Sequence, residues 1–176
     1  VTFGSVGSGT QVDYVQVSYS GDDSYEWFGG TVNCKHLVAL GTWDDDFDTD
    51  NGYRGKLQFL VGLRDPKYAD KSSANGFESD NCADGATVDP RTKATFSNIT
   101  FVGSKVLDSK YQNTTDYITA GASNPTNGSA LGKFQSAMQI RRSSRLNCVN
   151  SVATDWPIGL IVDGEKGNTV EQANAG

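Results

Sequence analysis

The sequence predicts an all-β chain wound as a right-handed parallel β-helix, a solenoid of about five to six coils with two long loops. Three observations predict this fold. Segments with the same residue pattern recur at intervals near 22 residues. The 176 residues include 20 Gly, 4 Pro and 10% aromatics, a turn-rich composition typical of β proteins. Segments longer than about ten residues lack helical periodicity.

The first recurring strand carries acidic residues between apolar ones. Its copies lie at residues 25–28, 47–50, 77–80 and 138–141. The first and second copies are 22 residues apart and the second and third are 30 apart, which indicates an insertion at residues 65–74 in one coil.

The second recurring strand is more apolar. Its copies lie at residues 12–17, 34–40, 57–63, 94–101 and 146–152. Residues 156–162 open a further coil. Two strands per period and Gly-rich corners fit coils that stack about 4.8 Å apart, because one coil alone cannot bury its apolar face.

Strand alternation separates an inward face from an outward face. The predicted inward files are Tyr25, Phe47, Phe77 and Met138, then Trp27, Thr49, Ser79 and Ile140. The predicted outward files are Glu26, Asp48, Glu78 and Gln139, then Phe28, Asp50, Asp80 and Arg141. The sequence therefore predicts an acidic ladder along one outer face.

We predict one domain over residues 1–176, a piece of a longer parent because the chain opens directly on a strand. Two polar, Gly-rich segments, 82–93 and 104–132, are predicted to be loops that project from the stacked coils. Long loops on a rigid scaffold often carry binding functions.

Charge and composition exclude several classes of protein. A net charge of −6 and a pI near 4.6 argue against a nucleic-acid partner, whose affinity depends on Lys and Arg. Apolar runs are too short to span a membrane. The three Cys, at 34, 82 and 148, form no CxxC pair, which leaves open three buried thiols or one disulfide with one free thiol.

Closely spaced carboxylates predict a calcium site, since Ca²⁺ prefers six to eight oxygen ligands. The candidate ligands are Asp44, Asp46, Asp48, Asp50, Glu78 and Asp80. The spacing does not match an EF-hand, which needs Gly at the sixth loop position. Two alternatives stay open: a solvated acidic face paired with Arg54, Arg141 and Arg142, or a catalytic carboxylate pair.

If the chain is an enzyme, Asp48 and Glu78 are the candidate pair for glycoside hydrolysis, and Arg141 is the candidate base of a polysaccharide lyase. An aromatic strip for sugar binding is predicted at Phe28, Trp43 and Tyr53, which are expected to be exposed at corners beside the acids. Arg142 is the predicted cationic ligand-binding residue.

The runs at residues 7–10, 12–17, 22–33 and 44–50 resemble a family of large secreted or cell-surface lipoproteins of Bacteroidetes-type bacteria. The resemblance covers residues 1–82 well and weakens after residue 138. It implies a right-handed β-helix at the outer cell surface or outside the cell. It supplies no catalytic residues. Cys34 and Cys82 depart from the family pattern, so a disulfide between them stays open.

The leading hypothesis is a non-enzymatic extracellular module that binds a polysaccharide or a surface protein and that Ca²⁺ stabilises. One alternative is a polysaccharide lyase or glycoside hydrolase on the same scaffold. The other is a structural subunit of a surface filament or coat that associates end to end, because solenoid ends present open sheet edges.

Overall fold

The computed structural model describes residues 1–70, 72–118 and 133–175, and these residues form two parallel sheets around one core. The first sheet contains β1 (Thr2–Gly4), β3 (Tyr25–Phe28), β5 (Phe47–Asp50), β7 (Phe77–Ser79), β9 (Ser136–Ile140) and β12 (Ile158–Val162). The second contains β2 (Gln11–Ser18), β4 (Asn33–Leu40), β6 (Lys56–Leu63), β8 (Lys93–Val102), β10 (Arg145–Val149) and β11 (Val152–Thr154). The chain alternates between the sheets, so the predicted parallel β-helix is confirmed.

The register between coils follows the predicted files. Phe47 pairs with Tyr25 on one side and with Phe77 on the other, and Phe77 pairs with Met138. The outward acids follow the same register, since Asp48 lies between Glu26 and Glu78. A one-residue slip would exchange the inward and outward faces, so burial of the aromatic file fixes this register.

Stacked aromatic rings fill the core. Tyr25, Trp27, Phe47 and Phe77 are fully buried. The ring of Phe77 also stacks on Phe96 of the second sheet, with centroids 4.7 Å apart. Each such side chain contributes roughly 1.5–3 kcal/mol of hydrophobic stabilisation, and together they hold the two sheets against each other.

The strands of the second sheet bend where one residue adopts a left-handed conformation. Tyr14, His36, Phe59 and Asn98 have φ angles of 55°, 50°, 60° and 56°. Asn tolerates positive φ well, whereas aromatic residues do so rarely. Ring stacking offsets the strain: the centroids of Tyr14 and His36 are 4.4 Å apart, and those of His36 and Phe59 are 5.2 Å apart.

The two predicted loops leave the stack at different corners. Within residues 82–93 only Lys93 belongs to a strand, and Ser143 Oγ donates a hydrogen bond to Gly85 O at 2.7 Å. The other loop begins with a 3₁₀ helix at Ser104–Val106 and continues to α1 (Thr115–Ile118). Its remainder, residues 119–132, lies outside the described residues. Near the end of the chain, α2 (Thr169–Asn174) follows β12.

The three cysteines are free thiols, and all of them lie in the described part of the chain. Cys34 is buried, but Cys82 and Cys148 are only partly buried, so the expectation of three buried thiols was wrong for two of them. Among the described residues, helices are too short to cross a membrane.

Candidate functional site

The outer face of the first sheet carries one continuous polar file: Glu26, Asp48, Glu78 and Gln139. Adjacent coils place these side chains about 4.8 Å apart along the stack. Glu78 and Gln139 are nearly buried, at 9% and 3% exposure, whereas Glu26 and Asp48 are partly exposed. Carboxylates so close to one another repel unless a cation lies between them.

A second file of side chains runs beside the first, at the corner two residues before each strand. Asp23 Oδ1 accepts a hydrogen bond from the backbone N–H of Asp45 at 2.8 Å. Asp45 Oδ1 accepts one from the N–H of Asn75 at 2.6 Å, and Asn75 Oδ1 accepts one from the N–H of Ser136 at 3.1 Å. An amide is sufficient for this role, as Asn75 demonstrates, so the two Asp add charge that coil stacking does not require.

Asp23, Glu26 and Asp48 converge where the two files meet. Each offers a carboxylate oxygen within 4.8 Å of the others. Asp48 Oδ1 is buried and has no hydrogen-bond partner among the described residues. Asp23 also belongs to a second group, with Asp22 and Asp44, whose oxygens lie equally close together. Within this arrangement Asp48 Oδ1 is therefore the buried carboxylate oxygen that the described residues leave unsatisfied.

The crowding raises the proton affinity of these acids. Burial raises the pKa of Asp48 well above its usual range, and the neighbouring charges of Asp23 and Glu78 raise it further. Burial and then Asp45 raise the pKa of Asp23 well above its usual range. Burial, with help from Asp45, raises the pKa of Asp44 to about 8. Folding therefore opposes ionisation of this cluster, and a bound divalent cation would remove that opposition.

Arginines balance the other end of the acidic file. Arg141 Nε lies 2.8 Å from Asp80 Oδ1, and Arg142 Nη1 lies 2.7 Å from Asp80 Oδ2. The Nη2 atom of Arg141 also contacts Glu78 Oε1. Although burial opposes its charged form, the acids Glu78 and Asp80 raise the pKa of Arg141. A guanidinium held protonated in this way is a poor base for proton abstraction.

The carboxylate of Asp46 points away from this face. It is fully buried, and its Oδ1 lies 3.3 Å from Nε of the equally buried Arg64. A Cβ atom on Gly62 would lie 2.4 Å from Asp46 Oδ2, so only Gly leaves room for the pair. The candidate calcium ligand Asp46 is therefore directed away from the other candidate ligands, because it lies at a corner where the strand alternation has not yet begun.

A comparison with known protein families identifies a family with this architecture. The family model described as a pectate-lyase-like β-helix domain matches residues 1–175. The chain belongs to this family. Searches of curated proteins and of solved structures gave no match. The match bears out the β-helix part of the sequence-based resemblance, while its narrower part, Bacteroidetes surface lipoproteins, stays a prediction.

Two predicted ligand-binding aromatics are buried in this β-helix domain. Trp43 is 2% exposed and Tyr53 is 0% exposed, so neither offers a surface for a sugar. Tyr53 Oη donates a hydrogen bond to Val32 O at 2.7 Å, which satisfies its hydroxyl inside the core. These predictions were wrong because both side chains turn inward at their corners. Phe28 lies on the outer face beside Asp50, where it is partly exposed.

Sequence reasoning missed three of the five members of the cation cluster. Asp22, Asp23 and Glu26 were absent from the predicted ligand set, although the outward position of Glu26 was predicted. A signal was available: the pair Asp22-Asp23 recurs 22 residues later as Asp44-Asp45, which is one coil of the solenoid. Of the predicted ligands, Asp44 and Asp48 join the cluster, and Glu78 and Asp80 pair with arginine instead.

Proposed function

We propose that this β-helix domain is an extracellular module that binds a divalent cation, best suited to Ca²⁺, and through it an acidic polysaccharide. One observation carries the proposal: the buried Oδ1 of Asp48 has no hydrogen-bond partner in the described structure, and the Asp48 carboxylate lies with one oxygen within 4.8 Å of oxygens of Asp23 and Glu26. Three carboxylates supply hard oxygen ligands of the kind that Ca²⁺ prefers.

The geometry also supports a further ligand on the cation. Three carboxylates supply at most six oxygens, and Ca²⁺ accepts up to about eight ligands. Glu26 and Asp48 are partly exposed, so solvent reaches one side of the cluster. A uronate carboxylate can complete the coordination there, which links the cation to an acidic polysaccharide.

The state of the candidate catalytic groups favours binding over cleavage. Arg141 is engaged by two acids, and Arg142 by Asp80, so neither provides a free neutral base. The proposal is therefore a non-enzymatic module. Location outside the cell and end-to-end association in a filament or coat stay predictions.

Thermal unfolding with and without calcium tests the cation site. A ligand at about 100 times its dissociation constant stabilises the folded state by about 2.7 kcal/mol. For a chain of this size that corresponds to a rise in Tm of about 5–10 °C, reversed by a chelator. Asp48→Asn should abolish most of the rise, and Asp50→Asn, a neighbouring outward acid, should retain it. An unchanged Tm in calcium would overturn the proposal.

Binding of polygalacturonate in calcium tests the second half of the proposal, with neutral dextran as the control. We expect calcium-dependent retention of polygalacturonate alone, without new reducing ends or unsaturated products. Equal retention of both polymers, or of neither, would contradict it.

Glycoside hydrolysis is a second candidate, favoured by one observation. Burial raises the pKa of Glu78 to about 8 although Arg141 opposes the shift, and a general acid needs a carboxyl whose pKa is raised in this direction. Asp48 is its register neighbour. Release of reducing ends, lost in Glu78→Gln, would favour this candidate over the binding module.

A further inference from the structure

One exposed aromatic ring lies at the corner that leads into the acidic cluster. Tyr19 is 50% exposed and precedes Asp22 by three residues. The backbone joins this corner to the next coil, since the N–H of Trp43 donates to Ser20 O at 3.1 Å. Asp44, a member of the cluster, directly follows Trp43. The ring and the carboxylates therefore occupy neighbouring positions on one corner.

Contacts on several sides hold the Tyr19 ring in place. A Cβ atom on Gly41 would lie 2.7 Å from the ring, so the ring packs directly on the glycine backbone. Tyr68 packs edge-on against it at 5.2 Å, and Tyr68 in turn packs against the buried Trp43 at 5.0 Å. The hydroxyl of Tyr19 donates to Asp65 Oδ2 at 3.3 Å. These contacts order the ring before any ligand arrives, which lowers the entropic cost of binding.

The other exposed aromatic set lies on the second sheet, away from the corner that carries the carboxylates. Tyr14, His36 and Phe59 stack on one another there with interplanar angles of 10° and 6°, and Tyr14, at the end of this stack, is 79% exposed. The Tyr19 and Tyr68 rings meet at 68°, an edge-to-face contact that does not cover the Tyr19 ring with a parallel ring. The open part of Tyr19 is thus available to another flat apolar surface.

We propose that Tyr19, supported by Tyr68 and Gly41, is the stacking platform for a sugar ring of the acidic polysaccharide. This inference rests on the proposed function. The apolar C–H face of a pyranose packs on a phenol ring, while the carboxylate of a uronic acid binds the cation held by Asp22, Asp23 and Asp44 or by Asp23, Glu26 and Asp48. A stacking ring beside a bound cation selects polymers of uronic acids over neutral glycans, which lack the carboxylate, and over isolated carboxylates, which lack the sugar ring.

Binding of polygalacturonate in calcium, measured by titration calorimetry on the full chain, tests the platform. The test variant is Tyr19→Asn, because Asn tolerates the φ of 53° at this position. The matched control is Tyr14→Asn, since Tyr14 is also exposed and has a φ of 55°. We expect Tyr19→Asn to weaken binding about tenfold, and Tyr14→Asn to bind like the wild type.

Tyr19→Phe separates stacking from the hydroxyl contact. It retains the ring and loses the bond to Asp65, so we expect wild-type affinity within about threefold. Each protein must first show an unchanged calcium-dependent rise in Tm, which reports an intact fold and cation site. If Tyr19→Asn misfolds, Tyr68→Leu, which removes the supporting ring, replaces it and should weaken binding in the same direction.

Two failures are distinguishable. If the wild type binds polygalacturonate in calcium and Tyr19→Asn binds it equally well, the platform is overturned and the proposed function stands. If the wild type itself does not bind, the proposed function fails and the platform fails with it.

Discussion

The carboxylates at the two ends of the acidic file repel one another, and the two ends differ in whether arginines neutralise that charge. In the later coils Arg141 and Arg142 neutralise Glu78 and Asp80. In the earlier coils Asp23, Glu26 and Asp48 converge without ion-pair partners in the described structure. Both ends are built on strands of the same sheet at the same spacing, so the fold does not explain the difference.

The difference shows which end is organised for stability and which for a ligand. A paired end stabilises the solenoid by itself, because each charge has an opposite charge at hydrogen-bonding distance. An unpaired end lowers stability until a cation binds, which is the usual trade between stability and function at binding sites. Four measurements test whether the two ends differ in this way.

The largest effect is expected at the fully enclosed pair of Arg64 and Asp46. Arg64→Met leaves a buried carboxylate without its cation, and breaking such a pair costs about 3–5 kcal/mol. Urea unfolding measures the loss. Adding Asp46→Asn to the Arg64→Met chain should restore part of the lost free energy of unfolding. An Arg64→Met variant as stable as the wild type would show that the ion pair does not stabilise the fold.

Arg141→Gln should convert the balanced end into an unbalanced one. We expect a loss of about 2 kcal/mol in the free energy of unfolding, the usual contribution of hydrogen bonds to charged groups. The calcium-dependent rise in Tm should increase, because Glu78 becomes available to a cation. Arg54→Gln, at an exposed arginine, is the control and should change neither quantity.

Stability without calcium should fall as the pH rises from about 5 to about 8. The pKa values of Asp23, Asp44 and Asp48 are raised by folding, so the folded state holds more protons than the unfolded state in this window. Deprotonation then favours unfolding. Tm measured across this range gives the slope, and calcium should flatten it. A Tm that increases with pH in a calcium-free buffer would contradict an unpaired cluster.

The smallest effects compare two outward acids in calcium-free buffer. Asp48→Asn should raise stability by about 1 kcal/mol, because it removes a charge that folding disfavours. Its amide can donate to the carboxylates of Asp23 and Glu26. Asp50→Asn should stay within about 0.5 kcal/mol, since Arg141 and Arg142 offset part of the burial that raises the pKa of Asp50. Equal changes in the two variants would remove the distinction between the ends.

The solenoid was predictable from the sequence because a repeat leaves the same pattern in every coil. Residues 25–28 and 47–50 alternate in the same way, and that alternation predicted both the register and the outward acids. The later coils were harder to predict, since insertions at residues 65–74 and 104–132 hide the period.

The sequence by itself determined the parallel stacking, the inward aromatic file and the outward acidic file, because strand alternation has a fixed period of two. Only the tertiary structure decided which acids lack partners. Asp46 turns inward to Arg64, Asp80 meets Arg142 from the next coil, and Trp43 is covered at its corner. Corners and long-range ion pairs follow no period, so their side-chain directions depend on how the coils stack in space.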